Sequence, residues 1–400
     1  MNQTTQNETK LFPYYCILYG MSVGLGGIVA LVAELKNDLG FSDFDIGMTI
    51  SCGFAAAFVA SLVTAPMADR GHAPLMLRSA LILGILSLIT LSIGQDLWHY
   101  LVGRGAYGLA LGSAYPAAKR TVIVADPKHI GRNLGRMGAA DMGGFMTAPL
   151  VVTALTALVS WRFAFIGISL LLFVLLPTTF KVQPDTAEKD EARKGLDGLL
   201  RIRRLNGALL ITMAMFVLIG AFEAIWVLEL DHRGASQSFI GLSLTIVALP
   251  IAVLSPLGGT LAQKYGARRW SVSIWIIHAV VVLFYGLVPG LGILIGLAFF
   301  SGILEGFGFS AASMLVSAAV PEDRQAAAQG LMTAVEVGTG AVASLTLAAI
   351  YSSYGDTLAW LITAFSMMIL LILGYILTRP EDLKPVRPGV PIEKLRRPFE

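Results

Sequence analysis

The sequence predicts an all-α polytopic membrane protein with twelve transmembrane helices in two pseudo-symmetric six-helix bundles. Three observations carry that prediction: little charge, apolar stretches long enough to cross a bilayer, and a repeat at a fixed offset between the two halves. Of the 400 residues, 56% are hydrophobic and 14% charged, whereas soluble domains carry about 25% charged residues. A soluble chain of this length needs charge to cover its surface; a chain dissolved in lipid does not. The 42 glycines and 17 prolines suit helices that pack closely or bend.

A hydrocarbon core about 30 Å thick needs roughly 20 helical residues. Six such spans are expected near 12–35, 43–66, 75–93, 97–119, 133–159 and 163–180. Six more follow near 207–230, 238–262, 270–288, 291–319, 325–350 and 356–378. Between the sets runs a polar stretch, Lys181 to Asn206. The expected organisation is an N-terminal six-helix bundle over 1–180, a cytoplasmic linker over 181–206, a C-terminal six-helix bundle over 207–380 and a cytoplasmic tail over 381–400.

The start, MNQTTQNETK, has one lysine and no small-residue cleavage site after it, so it reads as a polar tail rather than a signal peptide. Cys16 and Cys52 fall inside spans and read as small hydrophobes, not a disulfide or metal pair. The five histidines show no ligand spacing, so no metal or other cofactor is expected. The net charge of +3 lies at the membrane boundary and implies no nucleic-acid partner.

Charge placement sets the orientation. With the N-terminus in the cytoplasm, that side collects Lys10, Arg70, Arg78, Lys119, Arg120, Lys128, Arg132, Arg136, the basic linker residues, Lys264, Arg268, Arg269, Arg324 and the basic tail. The other side receives Lys36, Arg162 and Arg233. This positive-inside bias needs an even number of spans. A multi-pass protein of an inner or plasma membrane, both termini cytoplasmic, is expected.

The halves repeat at an offset of 194–195 residues, as between Asp69 and Gln263 (263 − 69 = 194). Glu34-Leu35 matches Glu229-Leu230, and Ile46-Gly47 matches Ile240-Gly241. Ala68-Asp69-Arg70 matches Ala262-Gln263-Lys264, Pro127 matches Pro321, and Asp141 and Gly143 match Glu336 and Gly338. A parallel repeat of six spans suits alternating access, with substrate held between halves; duplication kept only for packing is the plainer reading.

Several stretches carry a family resemblance. GTLAQKYGARR, Gly259 to Arg269, has a glycine, then Gln263 four residues later, Lys264, Gly266 and paired arginines. Its first-half partner, APMADRGHAPL, keeps Asp69 and Arg70, with Ala65 in the leading glycine's place and His72 in that of the second. Span 4 carries Arg104, Gly108 and Gly112 four residues apart, on one helical face. Span 5 has Gly135 and Gly144 nine residues apart and closes on Ala148-Pro149; span 6 opens on Trp161-Arg162 with Phe165 following. Over essentially its full length the chain resembles the major facilitator superfamily, and in span 5 its drug/proton antiporter-like members. The resemblance implies that the loop after spans 2 and 8 clamps the halves in one state, making Asp69, Arg70, Gln263 and Lys264 gating candidates. Asp69 would dock near the start of span 11, around Arg324; the plainer reading is a capped surface turn. The resemblance links the span 4 arginine of exporters to proton coupling, and Arg104 is a cavity candidate that could instead snorkel to headgroups. Tyr107, Tyr115 and Trp226 are cavity candidates whose alternative is packing.

Acidic residues inside spans are the remaining signal. A carboxylate in a low-dielectric site favours its neutral form unless a cation offsets the penalty, so it can load and release protons as access alternates. Glu305, in mid-span 10, ranks first for coupling, followed by Asp141, Glu223 and Glu336. Asp141 and Glu336 could instead make symmetric structural contacts. Glu34 and Glu229, near the outer ends, either close an outer gate or cap their helices. The function expected is alternating-access secondary transport, a proton-coupled exporter of small organic or amphipathic compounds, with protons as coupling ion and a monomer as working unit. The alternative is a proton-coupled symporter importing an organic solute or anion; a non-transporting receptor or scaffold is a third reading. No phosphate loop or enzymatic motif is present. The orientation is testable with single cysteines in intact cells: Asp96, Asp231 and Asp356 should label from outside, and labelling at Arg193 would overturn it.

Overall fold

The computed structural model describes residues 3–31, 38–181 and 196–378. Long helices run in chain order as α1 (Gln3–Ala30), α2 (Asp43–Val63), α3 (Ala73–Ile93), α4 (Leu97–Ala125), α5 (Ile130–Leu158) and α6 (Trp161–Leu175). They continue as α7 (Arg203–His232), α8 (Gln237–Tyr265), α9 (Ala267–Tyr285), α10 (Leu291–Ala319), α11 (Gln325–Tyr354) and α12 (Asp356–Leu377). The chain is therefore an all-α, multi-pass membrane protein. Ten stretches are long and apolar enough to cross a membrane by length and composition. That is fewer than the twelve expected, for two reasons. One stretch, Phe44–Ile93, runs through both α2 and α3 because the short polar turn Ala68–His72 between them is itself helix-like, with a kink at Arg70 and Gly71. The helix Leu97–Ala125 is not among the ten; it carries Arg104, three tyrosines, Pro116, Lys119 and Arg120.

Local chemistry explains most boundaries. Ser42 opens α2 with a capping box: its hydroxyl accepts from Asp45 N while the Asp45 side chain reaches back to the Ser42 N–H. Ser236 caps α8 by accepting from Phe239 N at 3.3 Å. The prolines inside α1, α4, α5 and α8 leave those helices continuous. The polar start continues α1 from Gln3, its Gln, Glu and Lys being tolerant of helix. One expectation needs correction. The turn glycine of the first loop motif is also present: Gly71 has φ of 82°, as Gly266 has 91° in the second copy. The residue that only glycine fits comfortably sits one position before His72. Glu34, the linker residues 182–195 and the tail from 379 onward lie outside the described residues.

Two compact units make up the chain. Unit 1 comprises Met1–Ala125, Ala140–Leu196 and Glu322–Ala334. Unit 2 comprises Asp126–Ala139, Asp197–Pro321 and Val335–Glu400. Thus the first ten residues of α5 belong with unit 2 and the rest of that helix with unit 1, and α11 is divided the opposite way.

Within each unit, helices meet where a glycine lies against a carbonyl. In unit 1, a Cβ on Gly108 of α4 would sit 2.0 Å from the Gly53 carbonyl oxygen of α2, and one on Gly112 would sit 2.3 Å from that of Ala57. In unit 2, Gly302 of α10 meets the Val247 oxygen of α8 at 2.2 Å, and Gly306 meets that of Pro250 at 2.8 Å. Gly330 of α11 meets the Ser61 oxygen at 2.2 Å in unit 1, and Gly135 of α5 meets the Ser255 oxygen at 2.2 Å in unit 2. Gly26 of α1 meets Phe145 of α5, and Gly220 of α7 meets Gly340 of α11, in the same way. Each pair is its counterpart displaced by 194–195 residues, save that Gly306 meets the Pro250 oxygen, one residue before the position matching Ala57, so the repeat is one of packing geometry. Gly108→Ala should cost about 1–3 kcal/mol, because backbone must move to admit the methyl. Gly292→Ala, with nothing within 4 Å of the new Cβ, is the control. Equal thermal unfolding of the two purified variants would count against the close-contact account.

Candidate functional site

The face of α4 that carries Arg104, Gly108 and Gly112 packs on α2. Arg104 is 2% exposed, and its Nε points to the Thr49 carbonyl at 3.4 Å. A Cβ on Gly53 would stand 3.2 Å from its guanidinium carbon. Tyr107 is also fully buried and donates to the Met21 carbonyl on α1 at 2.6 Å. Both polar groups thus meet backbone of neighbouring helices in unit 1.

Tyr115, two turns along α4 from Tyr107, enters a different setting. Its hydroxyl and that of Ser22 on α1 both donate to Asp141 Oδ1 on α5, and the hydroxyls lie 2.6 Å apart. Lys119 lies within electrostatic reach of Asp141. Tyr19 and Thr147 continue the polar group, their hydroxyls 2.8 Å apart. Beside them Gly143 faces open space, with only a Tyr19 ring carbon at 4.0 Å from an added Cβ. All of this belongs to unit 1. Ser22, Tyr19 and Thr147 were not singled out from the sequence; hydroxyls on separate helices give no local spacing signal.

The other acidic candidates are dispersed. Glu305 is half-buried on α10, with the Tyr285 phenol in its electrostatic reach; Tyr285 itself is 2.7 Å from Ser301. Glu336 is half-buried on α11 in unit 2, and Glu223 is exposed on α7. Trp226 is buried, donates to Ser243 at 2.9 Å and stacks on Phe222. Glu229 accepts from Trp360 Nε1 at 2.8 Å and pairs with Arg233, which also lies 3.4 Å from Asp356. That network ties the ends of α7 and α12 inside unit 2.

Two loop residues dock on helix starts. Asp69, 3% exposed, accepts from the backbone N–H groups of Ala326 and Ala327, each at 2.8 Å, at the start of α11. Arg120 Nε donates to it at 2.7 Å. The N-terminal helix dipole and the charge-assisted bonds both favour a carboxylate there. The contact lies near Arg324, as the motif implied, but the partners are two backbone amides and Arg120. In unit 2, Gln263 Oε1 accepts from Gly131 N at 3.0 Å at the start of α5, and its Nε2 donates to the Lys128 carbonyl at 2.6 Å. Arg70 follows Asp69 in the turn, and Lys264 lies 5.2 Å from the Tyr265 ring centroid.

The Major Facilitator Superfamily description matches residues 15–230 and again 205–399. The chain belongs to the major facilitator superfamily. It is an alternating-access secondary transporter for small molecules, not an enzyme. Among curated relatives, Multidrug resistance protein MdtG of Enterobacter lignolyticus is 26% identical over 284 residues, 67% of either chain. MdtG of Dickeya zeae is 26% identical over 273 residues, 65% of this chain and 66% of its own. The transporter also shares its fold with solved structures at 14% identity. The human organic anion transporter MFSD10 aligns with TM-score 0.74 over 92% of this chain and 99% of its own. The E. coli fucose:proton symporter FucP aligns with TM-score 0.77 over 92% and 98%. Among the described residues no group of three or more His, Cys, Asp or Glu is placed to hold a metal ion.

The Asp69 contact makes a prediction. Asp69→Asn removes the negative charge facing the buried Arg120 and turns an amide group toward two N–H donors. Losing charge-assisted bonds worth about 1.5–3 kcal/mol should speed amide exchange at Ala326 and Ala327 on the order of tenfold or more, and lower transport. Unchanged exchange there would remove the docking role.

Proposed function

We propose that this transporter is a proton-coupled exporter of small organic or amphipathic compounds. On this reading it has twelve membrane spans in two six-helix bundles, 1–180 and 207–380, joined by a cytoplasmic linker over 181–206, with a cytoplasmic tail over 381–400. Both termini are cytoplasmic and the monomer is the working unit. The observation that carries the proposal is Asp141: a carboxylate on a membrane-spanning helix, one oxygen of which accepts from the Ser22 and Tyr115 hydroxyls, with Lys119 in electrostatic reach. Such a group is positioned to bind a proton or a substrate ammonium in exchange. The names of the curated relatives, multidrug resistance proteins, favour export.

Glu305 is the second proposed proton carrier, one in each unit, with Glu223 and Glu336 behind them. Tyr115 is proposed to hold the Asp141 carboxylate and to border the substrate. Arg104, Tyr107 and Trp226, each buried in its own unit, are the further proposed cavity residues. Asp69, Arg70, Gln263, Lys264, Glu34 and Glu229 are proposed as gating residues. The alternative, a proton-coupled symporter of an organic solute or anion, reverses the relation between proton and substrate flux.

Proteoliposomes with an imposed pH gradient and a panel of organic cations, anions and neutral solutes test both readings. Export predicts substrate movement opposite to protons; movement with them selects the symporter. Asp141→Asn and Glu305→Gln should keep downhill substrate exchange while losing accumulation driven by the gradient. A variant that keeps the wild-type ratio of protons to substrate does not carry the coupling proton.

A further inference from the structure

The two helix-start docks differ in what they read. Asp69 meets two donors, the N–H groups of Ala326 and Ala327, with the Arg120 guanidinium beside it. Gln263 meets one donor and one acceptor, the Gly131 N–H at 3.0 Å and the Lys128 carbonyl at 2.6 Å. An ionised carboxylate only accepts hydrogen bonds, so it cannot make the second of these contacts. A primary amide makes both. The extra methylene of Gln over Asp lets the group reach past the amide to the carbonyl.

A second substitution accompanies the first. The position matching Arg120 at the same offset is Met314 (120 + 194 = 314), and it is buried. Where the carboxylate becomes an amide, its cation becomes a thioether. A buried arginine facing a neutral amide would be an uncompensated charge, which costs several kcal/mol, about 3–5 when a buried pair is broken. The backbone contact beneath is tight in its own right. A Cβ on Gly131 would lie 2.0 Å from the Gly259 oxygen, and one on Gly259 would lie 1.9 Å from the Gly131 oxygen. The amide therefore closes over a place where the two helices already touch.

We propose that Gln263 is a charge-free latch on the first turn of α5, reading N–H and C=O together, and a positioning residue for the helix that carries Asp141. It is not the remnant of a lost aspartate. The inference rests on alternating-access transport and is independent of whether the chain exports or imports.

Spin labels at Lys128, which meets Gln263 through its backbone only, and Arg269, both exposed and both in unit 2, report the latch without substrate, with Cys16 and Cys52 replaced by serine. Gln263→Glu is the deciding variant. Its protonated form accepts and donates as the amide does; its ionised form places negative charge against the Lys128 carbonyl. Between about pH 8 and about pH 4, across the carboxylate range, it should pass from a distribution with an added longer distance to the wild-type one. The ratio of closed to open populations should fall on the order of tenfold at the upper end, one hydrogen bond's worth. Gln263→Met should show the longer distance throughout. Lys128, His129, Arg132 and Lys264 are the charged or titratable residues nearest in sequence to the contact, and wild type over the same pH range controls for them. A wild-type distribution for Gln263→Glu at the upper pH, or for Gln263→Met at any pH, overturns the latch. Should those variants not fold, Gln263→Asp is compared with Gln263→Asp/Met314→Arg. Recovery of the short distance in the double variant supports the coupling of the two positions, and no recovery refutes it.

Discussion

The structure depends on helices that approach until glycine Cα touches a neighbour's carbonyl oxygen. Between lipid-soluble helices there is no hydrophobic drive to association, since lipid tails are as apolar as leucine. What remains is packing and hydrogen bonding, and both weaken steeply with distance. Small residues on α4 and α10 let those helices settle on the α2 and α8 backbones, with added Cβ atoms at 2.0–2.3 Å for Gly108 and Gly112 and 2.2–2.8 Å for Gly302 and Gly306. Larger residues there would hold the backbones apart, and the polar contacts beyond them would be out of reach.

The docks are such contacts. Asp69 reaches Ala326 and Ala327 because Gly330, one turn further along α11, lies on the Ser61 carbonyl. Gln263 reaches Gly131 because Gly135 lies on that of Ser255. A short side chain makes good hydrogen bonds to a helix start only if the helix is first placed to within a few tenths of an ångström. The glycines place it; the carboxylate or amide then holds it. This order also explains why the loop motif carries positive-φ glycines at Gly71 and Gly266: the chain must reverse at once for the preceding residue pair to stay against the helix.

Much of this was legible in the sequence, for physical reasons that differ by feature. Apolar length and the positions of Lys and Arg mark the helices because lipid imposes those constraints on every span. The offset between Asp69 and Gln263 was legible because both copies keep a turn. Arg120 as the partner of Asp69 was not, since an arginine 51 positions away on another helix leaves no local periodicity. Nor was Ser22 beside Asp141, for which α1 and α5 must first be packed. The face bearing Arg104, Gly108 and Gly112 was visible as spacing, but spacing does not say what the face meets, and it meets α2.

Scaffold and chemistry follow different rules in the two halves. The glycine contacts recur at the offset with nearly equal geometry, while the polar groups do not. Ser22 and Tyr115, which hold Asp141, correspond to Phe216 and Phe309 (22 + 194 and 115 + 194), so Glu336 lacks both hydroxyl donors from those positions. Asp69 and Arg120 correspond to Gln263 and Met314. Packing must be kept in both copies, because an added methyl at any of these glycines displaces a backbone. A buried charge has no such reason to be kept twice: each copy must find its own partners, and the desolvation penalty is incurred again. Duplication therefore conserves the close contacts and lets the carboxylates diverge: Asp141 on α5 holds two hydroxyl donors at positions that are phenylalanine in the other copy.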